Sequence, residues 1–305
     1  MRDEIADSAY ALGWAAVRHM PEPVAREIFT LIADRAWQRH GRGVRQLEKN
    51  LRRVVGDGPS ERELRELSRQ GMRSYLRYWL ESFRLPSMSR RRILDGMRIT
   101  GVEEIYQDLG AGRGVVVALP HMGNWDHAGA WIALSGTPFT TVMERLKPES
   151  LYDRFVAYRA GLGMEVLPAS GVDGGVFGTL AERLEAARLV CLVADRDLTA
   201  TGVEVDFFGR AAKFPAGPAA LAVSTGAALR PATLWYEEKD WCVRVHDEVP
   251  VPGDGDRATK IQAMTQSVAR TFQEGVAAHP QDWHMLQRVW VEDLTAGDRR
   301  RAGGQ

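Results

Sequence analysis

The segment His121-Met122-Gly123-Asn124-Trp125-Asp126 places a histidine, an amide and a carboxylate within six residues, and Asp195-Arg196-Asp197 adds two carboxylates and a guanidinium. Each cluster directly follows an apolar run, Val115 to Pro120 before His121 and Leu189 to Ala194 before Asp195. Neutral imidazole accepts a proton near pH 7, and an adjacent carboxylate fixes its tautomer and stabilises the imidazolium, so this combination suits activation of a hydroxyl. If the two runs are parallel neighbours in a sheet, His121 and Asp195 lie on one rim, beyond the carboxyl ends of the strands where α/β sheets bind ligands. Asp126 is the second candidate partner of the imidazole. The Gly123-Asn124 turn opens a helix whose free N–H groups suit a developing oxyanion. A lone histidine at a strand end is commonly structural; its company with two acids argues for chemistry.

The elements that must position these groups are readable from periodicity. Up to Leu85 the pattern is helical, over 3–19, 22–40 and 60–83. Ser60 and Glu63 form a capping box, and Leu64, Leu67, Met72, Tyr75, Leu76, Trp79, Leu80 and Phe83 recur at three- and four-residue spacing, while Arg62, Arg65, Arg69, Arg73 and Arg77 take other faces. From residue 95 strand-length runs (Val115–Leu119, Phe139–Met143, Met164–Leu167, Leu189–Ala194, Leu229–Tyr236) alternate with helix-length segments (125–134, 149–160, 175–187, 217–226). This alternation predicts an α/β fold: a mixed, mainly parallel sheet flanked by helices, behind an N-terminal helical region. Val243–Val249 adds an edge strand and Arg257–Ala278 a closing helix. The expected organisation is a helical, membrane-facing region 1–94, a core 95–296 and a disordered tail 297–305.

Composition narrows the partners. Lys and Arg total 40 against 40 Asp and Glu, so the chain is formally neutral, which argues against nucleic acid. The charge is unevenly placed: residues 1–94 carry 19 basic and 12 acidic side chains, a net of +7, and residues 95–305 a net of −7. The N-terminal third is therefore the part suited to an anionic membrane surface. Cys191 and Cys242 are the two cysteines, too few for a disulfide framework or a zinc cluster, and no second histidine stands at ligand spacing from His121, so no metal is expected. The N-terminus lacks the basic start and long apolar core of an export signal. In the catalytic half the longest uncharged runs, Ala128 to Met143 and Phe214 to Leu229, are 16 residues each and contain proline, too short and broken to cross a bilayer. Membrane contact is expected to be peripheral.

Rival chemistries find less support. Gly110, Gly112 and Gly114 precede a strand rather than follow one, unlike a dinucleotide fingerprint, and there is no G-x-S-x-G elbow. Asp195 and Asp197 imitate the metal-binding Asp-x-Asp of nucleotide-sugar glycosyltransferases, the enzymatic alternative, but that leaves HMGNWD unexplained. A non-catalytic membrane-binding module is the other alternative.

The motif HMGNWD resembles the first block of glycerolipid and lipid A type acyltransferases, with the tryptophan of the lauroyl/myristoyl branch. The similarity continues through YRAGLG (Tyr158 to Gly163), LVADRDL (Leu192 to Leu198), the block Gly202 to Ala222 and HPQDWHMLQRVW (His279 to Trp290). Within the branch the chain looks most like actinobacterial phosphatidylinositol mannoside acyltransferases. The resemblance implies transfer of a long-chain acyl group such as palmitoyl from acyl-CoA to a mannose hydroxyl of a glycolipid acceptor, at the cytoplasmic face of the plasma membrane and without a cofactor. It implies His121 as general base, partnered by Asp126 or by Asp195; Asp126 is alternatively a brace to an arginine such as Arg159. Arg159 is either a helix-end charge or a partner of the site, and Arg196 either pairs with Asp195 or Asp197 or meets a phosphate. Asn124 and Phe208 are the remaining substrate-binding candidates.

Overall fold

The computed structural model describes residues 16–144, 149–169, 175–197 and 201–294. The expected tail 297–305 and most of the expected helix 3–19 lie outside these residues. Three helices come first: α1 (Glu22–Gln38), α2 (Arg42–Val55) and α3 (Glu61–Arg84). The α3 helix starts at the capping box, where Ser60 accepts from the Glu63 N–H and Glu63 reaches back to the Ser60 N–H. Short α4 (Arg90–Asp95), strand β1 (Met97–Thr100) and α5 (Val102–Gly110) lead to the central strand β2 (Val115–Leu119).

The chain then alternates through α6 (Trp125–Leu134), β3 (Phe139–Met143), α7 (Glu149–Gly161), β4 (Met164–Pro168), α8 (Val176–Glu185) and β5 (Leu189–Val193). An antiparallel hairpin, β6 (Val203–Phe207) and β7 (Arg210–Phe214), is followed by α9 (Gly217–Thr225), β8 (Ala228–Glu237), β9 (Asp240–Val245) and α10 (Arg257–Ala278). The main sheet has seven strands in the order β1-β9-β8-β2-β5-β3-β4, with only the β8–β9 pair antiparallel. The fold is α/β with a mixed, mainly parallel sheet and N-terminal helices. The strand expected over Val243–Val249 begins earlier and is not at the edge, because β1 pairs with it from Met97↔Trp241 to Thr100↔Arg244.

Side chains alternate across β2, so the sheet builds a core on each face. Val116 and Ala118 join Phe207, Phe214, Phe272, Trp283 and Trp290 on one side. Val115, Val117 and Leu119 meet Ile105, Ala130, Ile132 and Phe139 on the other. The N-terminal helices pack around Leu47, Leu51, Leu64 and Met72. Among the described residues no helix is long and apolar enough to cross a membrane.

Candidate active site

Strands β2 and β5 are parallel neighbours in a register that sets Leu119 opposite Val193, and the Ala194 N–H continues the ladder to the Leu119 carbonyl at 2.8 Å. Two residues beyond each of these positions stand His121 and Asp195. The imidazole Nδ1 is 2.6 Å from Asp195 Oδ1, and the His121 backbone N–H donates to Oδ2 at 3.0 Å. Asp195 is completely buried, whereas the His121 side chain is 41% exposed. Burial works against the charged ring, but the adjacent carboxylate outweighs it and raises the His121 pKa; Asp195, buried yet beside the ring and two further N–H donors, is held below the usual carboxylate range. Because an ionised carboxylate only accepts, the proton of neutral His121 sits on Nδ1, leaving the Nε2 lone pair for an incoming hydroxyl.

Asp126 occupies another network. It is buried at the first turn of α6, where Arg159 Nε donates to Oδ1 at 3.0 Å and the Tyr78 hydroxyl to Oδ2 at 2.9 Å. The Arg159 guanidinium also contacts Met143 Sδ. Its pKa is raised, with burial opposing and the Asp126 charge prevailing. Asp126 therefore ties α6 to α3 and α7 and makes no hydrogen bond to His121. Tyr78 in turn stacks on Trp125 at 4.0 Å, and Trp125 meets the His121 ring edge-on at 5.6 Å.

The loop between His121 and α6 is held on every side. Asn124 caps the helix by accepting the His127 N–H at 2.9 Å and donates to the buried Glu81 at 2.8 Å. Gly123 has φ +58, and a Cβ there would sit 2.8 Å from the Leu234 backbone, so only glycine fits the turn. Its N–H is taken by the Asp282 carbonyl at 2.9 Å, so it is not available to an oxyanion. Asn124 is a buried structural residue of this turn rather than part of the cavity wall.

A cavity of about 520 Å³ opens beside His121 and runs across one face of the sheet beneath α6. Its walls include Val117, Leu119, Ala128, Ile132, Phe139 and Val243, and Arg196 is at its lining with His121 and Trp125. Arg196 makes no ion pair with Asp195, whose oxygens are taken by His121 and Trp283. Phe208 lies elsewhere: with Gly209 it forms the two-residue β6–β7 turn, both residues at positive φ, and its N–H bonds to Gln273. Phe208 is not part of the cavity wall.

Sequence reasoning missed three contributors. Tyr75, Tyr78 and Trp79 bring the N-terminal helix α3 into the cavity wall, so residues 1–94 help build the site. Trp283 Nε1 donates to Asp195 Oδ2 at 2.9 Å. His284 lines the cavity, and its Nε2 is 2.9 Å from Ser74 Oγ. The aromatic spacing on α3 signalled an apolar face but not what it covers. Arg69 and Arg73 grip Asp34 of α1 with four bonds of 2.7 to 3.0 Å, and Arg77 pairs with Glu81.

The family model for bacterial lipid A biosynthesis acyltransferases matches residues 1–292. The chain is 48% identical over 300 residues to a phosphatidylinositol mannoside acyltransferase of Mycolicibacterium smegmatis, covering 98% of this chain and 96% of that protein. It is 50% identical over 296 residues to a protein of the same name from Mycobacterium tuberculosis, covering 96% and 91%. A paired His121 and Asp195 beside a mostly apolar cavity suits acyl transfer, and the chain belongs to the bacterial lipid A biosynthesis acyltransferase family and is an acyltransferase.

Proposed function

We propose that the protein transfers a long-chain acyl group from acyl-CoA to a mannose hydroxyl of a phosphatidylinositol mannoside, with His121 as general base. The observation that carries this reading is the exposed His121 ring, backed by Asp195, at the mouth of the apolar cavity. Burial of a methylene gains about 0.8 kcal/mol, so a long acyl chain is drawn strongly into such a cavity and its thioester carbonyl is left near the ring. His121 Nε2 takes the hydroxyl proton as the oxygen attacks the thioester carbon. Collapse of the tetrahedral intermediate breaks the C–S bond, and the imidazolium returns the proton to the thiolate. Asp195 stabilises the charged ring between the two transfers. Arg196, at the cavity lining, is placed to meet a phosphate of the donor or acceptor.

The acceptor is a lipid, so the enzyme works at a membrane surface, which we assign to the cytoplasmic face of the plasma membrane. On α1, Val24, Ile28, Leu31 and Ile32 form an apolar stripe between 37% and 60% exposed, at helical spacing. This stripe, rather than the α3 arginines, is the surface that would enter the bilayer interface.

The test is mass spectrometry of products formed from a mixed acyl-CoA pool and a lipid extract containing phosphatidylinositol mannosides. An acylated mannoside that disappears with His121→Ala is expected, and Ala128→Trp, which fills the cavity, should shift the product to shorter chains. Turnover that is independent of mannosylated lipid would refute the acceptor.

A further inference from the structure

We infer that Trp283 is a positioning residue that sets the basicity of His121 through Asp195. This rests on the reading of His121 as the base.

Asp195 has two oxygens with different duties. Oδ1 faces the His121 Nδ1, while Oδ2 accepts the His121 backbone N–H and the Trp283 indole N–H. Both Asp195 and Trp283 are completely buried, so water does not replace a lost donor and the carboxylate is oriented by these bonds. Indole is a pure donor that cannot be deprotonated at working pH, so Trp283 withdraws negative charge from Asp195 without ever competing for the proton. The carboxylate is thereby kept ionised in a buried place and moderated as a partner for the imidazolium.

Trp283 is itself fixed from two directions. Its strand-like segment bridges Met122, with the Asp282 carbonyl on the Gly123 N–H at 2.9 Å and the His284 N–H on the His121 carbonyl at 2.8 Å. Further along, the fully buried Asn50 of α2 donates to the Met285 and Gln287 carbonyls, both at 2.8 Å. The segment after α10 is thus a clasp that crosses the catalytic loop, is pinned to an N-terminal helix and delivers one hydrogen bond to the catalytic carboxylate.

Trp283→Phe keeps an aromatic, if smaller, ring and removes the donor. Asp195 then bears more charge against the imidazolium, so the acid limb of the kcat/KM profile should move up by about half a pH unit, with kcat falling about tenfold and KM for acyl-CoA little changed. In an Asp195→Asn background the same change should cost nothing further, because its effect passes through that carboxylate. An unaltered profile, or an equal loss in both backgrounds, would overturn the assignment.

A measurement on the unmutated protein guards against misfolding of the variant. With 15N-labelled tryptophan, one indole N–H signal should titrate with the same midpoint as the His121 ring, and that coupling should vanish in Asp195→Asn. Indole signals that ignore the His121 titration would refute the link, whatever the catalytic activity proves to be.

Discussion

Arg159 and Asp126 form a buried ion pair in which Nε lies 3.0 Å from Oδ1, while Tyr78 holds the other oxygen. The acid of the His-x4-Asp motif thereby joins α6 to α3 and α7. Removing one partner of a buried pair leaves an uncompensated charge and typically costs about 3 to 5 kcal/mol. Asp126→Asn and Arg159→Met should therefore lower the denaturation midpoint strongly, as read by chemical unfolding. Lost turnover at unchanged stability would instead mark Asp126 as a direct participant.

Asp195→Asn should behave in the opposite way. Removing a general base or its partner typically costs about 10² to 10⁴ in rate. His121→Ala and Asp195→Asn are expected to lose turnover in that range while retaining acyl-CoA binding by calorimetry. Near-normal turnover of either variant would sink the mechanism.

The raised pKa of His121 fixes the direction of the activity profile. With the neutral ring as the proposed base, kcat/KM should fall as pH drops through a value above the ordinary imidazole pKa of about 6.5. A limb at or below that value would show that Asp195 is not ionised beside the ring.

Two other histidines are expected to contribute to acid sensitivity between pH 6.5 and 3. Burial brings His127, stacked on Trp241 at 3.6 Å, and His284 down to about 3. Their folded pKa values lie below the unfolded one, so the unfolded chain binds the extra protons between pH 6.5 and 3. Their contribution is full above about pH 6.5 and is lost on acidification, at roughly 1.4 kcal/mol per pH unit for each. His127→Phe, which keeps the stack, should show a melting temperature less dependent on pH across that window; an undiminished slope would assign the acid sensitivity elsewhere.

The surfaces of the N-terminal helices can be separated by sedimentation with anionic vesicles. Leu31→Asp should weaken vesicle binding and leave the melting temperature unchanged. Arg73→Glu should lower the melting temperature, because it sets a second negative charge against Asp34. Equal vesicle binding by Leu31→Asp would move the docking surface off the α1 stripe.

Local pattern determined a large part of this protein. The β2, β3 and α6 ends and the long α10 helix follow directly from apolar runs and period, since buried parallel strands are short, continuous and apolar. The pairing of His121 with Asp195 was legible on the single condition that β2 and β5 are neighbours, because equal offsets from register-matched strands put both residues on one rim. Strands β1, β6 and β7 escaped notice: they are four or five residues long, include polar or charged residues and are recognisable only by what they pair with.

Other features depend on groups far apart in the chain. The separate hydrogen-bond networks of the two acids are built by Arg159, Tyr78 and Trp283, which lie 33, 48 and 88 residues from the carboxylates they contact. The α3 arginines are legible in the sequence only as residues off the apolar face; their pairing with Asp34 of α1 is decided by packing. Periodicity states which face of a helix is apolar and which charged; only packing states what each face meets, because hydrogen bonds and ion pairs act at a few ångströms whatever the separation along the chain.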